Sequence, residues 1–113
     1  MSCRIIVTKD FLRQLKHLAK KYKSIKTDVA DLGKELSDNP FQGADLGQGL
    51  RKVRMAIASK GKGKSGGARV ITYNVLVAAT DTEVRLLYIY DKSERETITD
   101  AEIQALKAAN GIE

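Results

Sequence analysis

Cysteine and histidine are almost absent from the chain: Cys3 and His17 are the only ones among 113 residues. One cysteine excludes an intrachain disulfide framework and a zinc-type cysteine cluster. One histidine excludes chemistry that needs two. His17 also falls off the apolar stripe of its helix and reads as an exposed surface residue, so neither a Cys-His pair nor a Ser-His-Asp triad is expected. Long apolar runs are missing as well. No stretch approaches the roughly 18 uninterrupted apolar residues of a membrane span, and Met1 to Asp10 lacks the basic-then-apolar layout of a signal peptide. A cytoplasmic protein without membrane contact is the expectation, and 113 residues suit a single domain, 1–113, with its own core.

Acidic residues are missing from one particular place. Residues 51 to 69 carry Arg51, Lys52, Arg54, Lys60, Lys62, Lys64 and Arg69 with no Asp or Glu, although the whole chain nets only +6. Everything outside that stretch holds thirteen basic against fourteen acidic side chains. The net charge is therefore concentrated in nineteen residues, as expected either of a site for a polyanion or of a solvated lysine-rich hairpin tip.

Hydrophobic periodicity supplies the architecture. The run Cys3 to Val7, with its β-branched residues, predicts a first strand, and Thr8 is placed to cap a helix. Phe11, Leu15, Leu18 and Tyr22 form one helical stripe, and Ile25, Val29, Leu32 and Leu36 form another that stops at Ser37-Asp38-Asn39-Pro40. These two helices, Thr8 to Ser37, are expected as an antiparallel hairpin laid on a sheet. Gly43 to Gly49 reads as a connection. Leu50 to Ile57 then alternates, with Val53, Met55 and Ile57 on one face and Lys52 and Arg54 together on the other. After a flexible basic loop, Ser59 to Gly67, two nearly continuous apolar runs follow, Ala68 to Ala79 and Val84 to Tyr90, joined at Thr80 to Glu83. Such runs suit central strands covered on both faces for part of their length. Thr99-Asp100-Ala101-Glu102 is a capping box for a last helix carrying Ile103 and Leu106. The predicted class is α+β in the order β-α-α-β-β-β-α, with a mostly antiparallel twisted sheet.

Gly63-Lys64-Ser65 brings a phosphate-binding P-loop to mind, but position 58 is Ala58 rather than the required glycine, and the segment joins two strands rather than a strand and a helix. Nucleotide binding is excluded on both grounds. The informative residues are Lys52-Val53-Arg54, the run from Lys60 through Lys64-Ser-Gly-Gly-Ala-Arg69 to Tyr73, and Tyr90-Asp91-Lys92-Ser93-Glu94.

In these segments and in the order of its elements the chain resembles the RelE/ParE superfamily of bacterial toxins. The Lys-Ser-Gly-Gly-Ala-Arg run is most similar to the HigB-type RelE-like members. The resemblance implies a ribosome-dependent endoribonuclease, or mRNA interferase, that inhibits translation and is silenced by a cognate antitoxin, expected to be a helix-turn-helix protein. Its other partners are the ribosome and mRNA. RelE-like enzymes use the RNA 2′-hydroxyl as nucleophile. That chemistry needs a proton acceptor, cations on the phosphate and a proton donor, with no metal or other cofactor. Carried over by position, Arg69 is the arginine that stabilises the transition state through its planar fork, and Lys52 and Arg54 match the family's basic pair on the preceding strand. A lysine crowded by like charges gives up its proton more readily, which makes Lys52 and Lys92 the candidates for proton transfer. Lys60, Lys62 and Lys64 would contact the RNA backbone, and Tyr73 or Tyr90 would stack on an unstacked base. The chain departs from the closest RelE-like members at Ser93 and Thr99, where they carry a basic residue and a tyrosine. Lys92, Glu94 and Arg95 are the nearest substitutes. Acidic Asp91, Glu94 and Glu96 would repel RNA unless paired with the basic cluster. Two other readings fit parts of the pattern: a ParE-like inhibitor of DNA gyrase and a non-catalytic RNA-binding module.

Overall fold

The computed structural model describes residues 2–112. Strand β1 (Ser2–Val7) leads into α1 (Lys9–Ala19) and α2 (Ile25–Asp38), followed by β2 (Ala44–Gly47), β3 (Leu50–Met55), β4 (Ala68–Ala78), β5 (Asp81–Asp91) and α3 (Asp100–Ala109). The five strands form one sheet in the order β1-β5-β4-β3-β2. β1 runs parallel to β5, and the other neighbouring pairs are antiparallel.

The helical hairpin covers one face. Thr8 caps α1, its hydroxyl accepting from the Phe11 amide and donating to the Leu86 carbonyl. That side chain therefore fastens the helix start to β5. Phe11, Leu18, Tyr22, Ile25, Leu32 and Leu36 are buried against Val53, Met55, Val70, Val84, Leu86 and Ile89, with Leu15 and Val29 partly buried beside them. Both stripes expected from the sequence thus face the sheet. On the opposite face α3 packs a smaller core, Ile98, Leu106 and Ile112 against Leu50, Ile71, Leu87 and Tyr90. Its capping box is complete, with Thr99 accepting from the Glu102 amide and Glu102 accepting from the Thr99 amide. β4 and β5 are covered on both faces as their apolar runs required, except at the distal end, where Leu76 and Val77 are exposed.

Two details differ from the sequence reading. Gly43 to Gly49 is more than a connection, since Ala44–Gly47 forms an edge strand on β3, giving four consecutive strands before α3. Gly47, Gln48 and Gly49 all take positive φ and turn the chain back in two residues, a conformation that glycine adopts without steric cost. The β4–β5 turn is also tighter than expected, with Ala78 already opposite Asp81.

Candidate functional site

The α3 side of the sheet is divided between two chemistries. Residues 50, 52 and 54 of β3 share that face; Leu50 is buried under the smaller core, whereas Arg54 is exposed and Lys52 half-buried. On β4 the same face carries Arg69, Ile71 and Tyr73. Arg54 and Arg69 are direct cross-strand partners. Like charges directly opposite one another oppose folding, so a pair of arginines there points away from a purely structural role.

An open pocket of about 550 Å³ lies over this basic end. Lys52 and Arg54 form its β3 wall, Arg69 its β4 wall, Lys64 of the loop one rim and Lys92 another, with Glu96 as the lining carboxylate. Gln42, Gly43 and Ala44 close the remaining side. Gly43 is at φ +95°, and a Cβ there would sit 2.6 Å from the Lys52 carbonyl oxygen. Only glycine lets this segment approach β3 so closely. Among the described residues, no three His, Cys, Asp or Glu side chains come together as a metal site.

Arg69 does not stand free on its strand. It is only 5 % exposed, and its guanidinium donates to the carbonyls of Lys64 (3.0 Å), Ala68 (3.1 Å) and Ser65 (3.2 Å). It lines the pocket and at the same time ties down the loop above it. Burial, assisted by the Arg54 charge and opposed by Tyr90, pushes its pKa below the ordinary arginine value.

Lys60 contradicts its expected place among solvent-facing loop lysines. Its side chain is 8 % exposed and its ammonium donates to Asp91 Oδ1 (2.7 Å), to the Gly66 carbonyl (2.9 Å) and to Ser93 Oγ (3.1 Å). Asp91 is buried and also accepts from the Tyr22 hydroxyl and from the Ser93 amide and hydroxyl. Burial alone would raise the Asp91 carboxyl, but the bonds from Lys60, Tyr22 and Ser93 outweigh it and hold the group well below the usual carboxylate range. Glu94 is paired with Lys21 at 3.3 Å. Two of the three acidic residues near the site are thus neutralised, one of them by the basic stretch itself.

The other expected contacts fall outside the pocket. Lys62 is exposed on the loop and does not line it. Tyr73 packs partly buried against the smaller core. Tyr90 is 4 % exposed, with Arg95 stacked 5.4 Å over its ring, and so is not available to stack on a base in this conformation. Arg95 also donates to Glu102 (2.7 Å for one of its bonds), chiefly through which that carboxyl is lowered to about 2. Gln42, Gly43 and Ala44 were not singled out from the sequence as site residues, and Glu96 was noted there only as an acidic residue that would repel RNA unless paired. Only Gly43, a glycine at the head of a short segment before a basic strand, carried a signal.

The fold and pocket define a small α+β protein with a concentrated cationic site suited to a phosphate-rich polyanion. The chain belongs to the RelE toxin family: the family model described as the RelE toxin of the RelE/RelB toxin-antitoxin system matches residues 3–112. An antitoxin is therefore its partner. No curated protein matches the chain as a relative.

Proposed function

We propose that this toxin is a ribosome-dependent endoribonuclease of the HigB type, cutting mRNA and inhibiting translation in the cytoplasm. The observation that carries the reading is the convergence of Lys52, Arg54, Lys64, Arg69 and Lys92 on one pocket with a single lining carboxylate. Five cations surround a space large enough for a phosphodiester and its neighbouring sugar. The RNA 2′-hydroxyl loses its proton, the O2′–P bond forms, the P–O5′ bond breaks, and the 5′-oxygen takes up a proton, leaving a 2′,3′-cyclic phosphate and a 5′-hydroxyl. Arg54 and Arg69 stabilise the added negative charge on the phosphate oxygens. Their rigid strand positions matter, because preorganised charges need no rearrangement as the transition state forms. Proton transfer belongs to Lys52 and Lys92, with Glu96 as a further acceptor facing the same space.

The antitoxin, a helix-turn-helix protein in this reading, silences the site by placing carboxylates near Lys52, Arg54 or Arg69, an association that salt should slow. The test is mRNA integrity in a translating extract supplied with purified toxin, run beside a gyrase supercoiling assay. Cleavage with 5′-hydroxyl ends and unaffected supercoiling is expected. Intact mRNA with inhibited gyrase transfers the protein to the ParE-like reading, and RNA binding with neither effect leaves a non-catalytic module.

A further inference from the structure

The loop from Ser59 to Gly67 looks like a flexible tether in sequence, made up of four glycines, three lysines and two serines. Its bonds describe something else. At its start, the Ala58 amide donates to Asp28 (3.1 Å) and the Ser59 amide to Ser24 Oγ (2.8 Å), both at the beginning of α2. At its end, the Gly67 carbonyl accepts from the Lys92 amide (3.1 Å). A Cβ on Gly67 would lie 2.1 Å from the Met55 carbonyl oxygen, so the loop's exit is pressed against β3. Between these ends the Lys60 ammonium reaches across the loop to the Gly66 carbonyl and, with the same three donor hydrogens, to Asp91 and Ser93.

We propose that Lys60 and Asp91 form a buried latch that folds the basic loop into a fixed wall of the pocket and so sets the positions of Lys64 on one rim and Lys92 on the other. Lys60 is a positioning residue. Its ammonium is held 5.3 Å over the Tyr22 ring and is consumed by protein acceptors, so it has nothing left to offer an RNA phosphate. Asp91 immediately precedes Lys92, and its two oxygens are held by Tyr22 from the connection between α1 and α2, by Lys60 from the loop and by Ser93. The latch therefore joins the two rims through one carboxylate. This function rests on the nuclease reading for its catalytic consequence, but the ordering of the loop does not.

Lys60→Met keeps the length of the side chain and removes the charge and all three bonds, while Asp91 retains Tyr22 and Ser93 as donors. Amide hydrogen exchange across residues 60–67 should accelerate at least about tenfold while the helices stay protected. Cleavage of mRNA at saturating ribosomes should fall about 10- to 100-fold, the scale expected of a misplaced catalytic group, with the half-saturating concentration moving far less. Lys60→Arg, which retains the charge, should recover part of the protection and part of the rate. Lys26→Met on the exposed side of α2 is the charge-matched control and should change neither. Unchanged loop exchange in folded Lys60→Met overturns the latch, and so does faster exchange with full cleavage. Should wild-type protein leave mRNA intact, the nuclease reading fails and exchange alone decides the latch. If Lys60→Met does not fold, Ser93→Ala removes one acceptor of the ammonium and one donor to Asp91, and about threefold faster loop exchange is the expected result. No acceleration there overturns the proposal equally.

Discussion

Lys60 and Lys64 stand four residues apart in one basic loop, and the protein uses them in opposite ways. Lys60 is buried, with Asp91, Gly66 and Ser93 satisfying its ammonium. Lys64 is half exposed at the pocket rim, with only a 3.6 Å contact to an equally exposed Glu35. A run of like charge in sequence is thus split into a buried half held by protein acceptors and an exposed half that lines the open pocket. What separates them is the neighbouring carboxylate: Asp91 has no side-chain exposure and Glu35 has about half of its own. Burial makes the first pair matter to folding, and solvent screens the second.

The largest test of that contrast is Asp91→Ala. It leaves the Lys60 ammonium buried without its charge partner and removes the acceptor of the Tyr22 hydroxyl. Breaking a buried ion pair from one side typically costs about 3–5 kcal/mol, a large part of a small domain's stability, and chemical denaturation reads it directly. Glu35→Ala, at the other lysine, should change stability by less than about 0.5 kcal/mol. Similar losses for the two would erase the distinction.

Arg69 sits between the two classes, because it is buried like Lys60 and lines the pocket like Lys64. Arg69→Ala should lower mRNA cleavage by about 100-fold or more, the usual consequence of deleting one preorganised electrostatic contact. Its three bonds to the carbonyls of residues 64, 65 and 68 mean that loop order and stability fall as well. Arg69→Lys should restore little, since one ammonium cannot reproduce the planar fork. Cleavage on saturated ribosomes, alongside a melting curve for each variant, separates the two losses. A fully active Arg69→Ala protein removes it from the chemistry.

How much of this was legible beforehand depended on whether it was local. The two helical stripes, the capping box at Thr99 and the alternation of Lys52 and Arg54 are periodic patterns that each element carries by itself, and the structure has them as expected. The match over residues 3–112 supports the family assignment. The pairing of Lys60 with Asp91 spans 31 positions, and nothing near Lys60 announces it. Asp91 looked like an acidic residue out of place beside a basic site, and the observation that it needed a partner was the available signal. Burial of Arg69 was hidden for a related reason: alternation says which face a side chain takes, but not whether a loop folds over that face. Strand β2 depended on the backbone at Gly47 to Gly49, where turn chemistry rather than hydrophobic pattern sets the outcome.

Acid offers a graded form of the same contrast. The Asp91 carboxyl is held below its unfolded value, near 3.9 for a free aspartate. It therefore contributes stability that is fully present above about pH 4 and is lost as pH falls from there toward the folded-state value. One such carboxylate adds at most about 1.4 kcal/mol per pH unit to the slope. Glu102, lowered to about 2 by Arg95, adds to the slope over the same interval, reduced by its exposure. Urea titrations between pH 5 and 2 should show a steep fall for wild type and a shallower one for Asp91→Asn. Identical slopes would mean that Asp91 is as free of partners as an exposed carboxylate.

The smallest effects are expected in the outer part of the loop, and they distinguish the rim from the surface beyond it. Lys64 lines the pocket and Lys62 does not. Lys64→Ala should weaken ribosome or RNA association by several-fold and lower the dependence of log affinity on log salt by about 0.7 to 0.9, the amount for one lost phosphate contact. Lys62→Ala should leave that slope nearly unchanged, because an exposed lysine outside the site only adds to a diffuse field that physiological salt screens over about 8 Å. Binding measured at three or four salt concentrations is sufficient to tell the slopes apart. Equal slopes for the two variants would return the loop to what its sequence suggests, an undivided row of solvated lysines, and would leave the pocket rim without a role of its own.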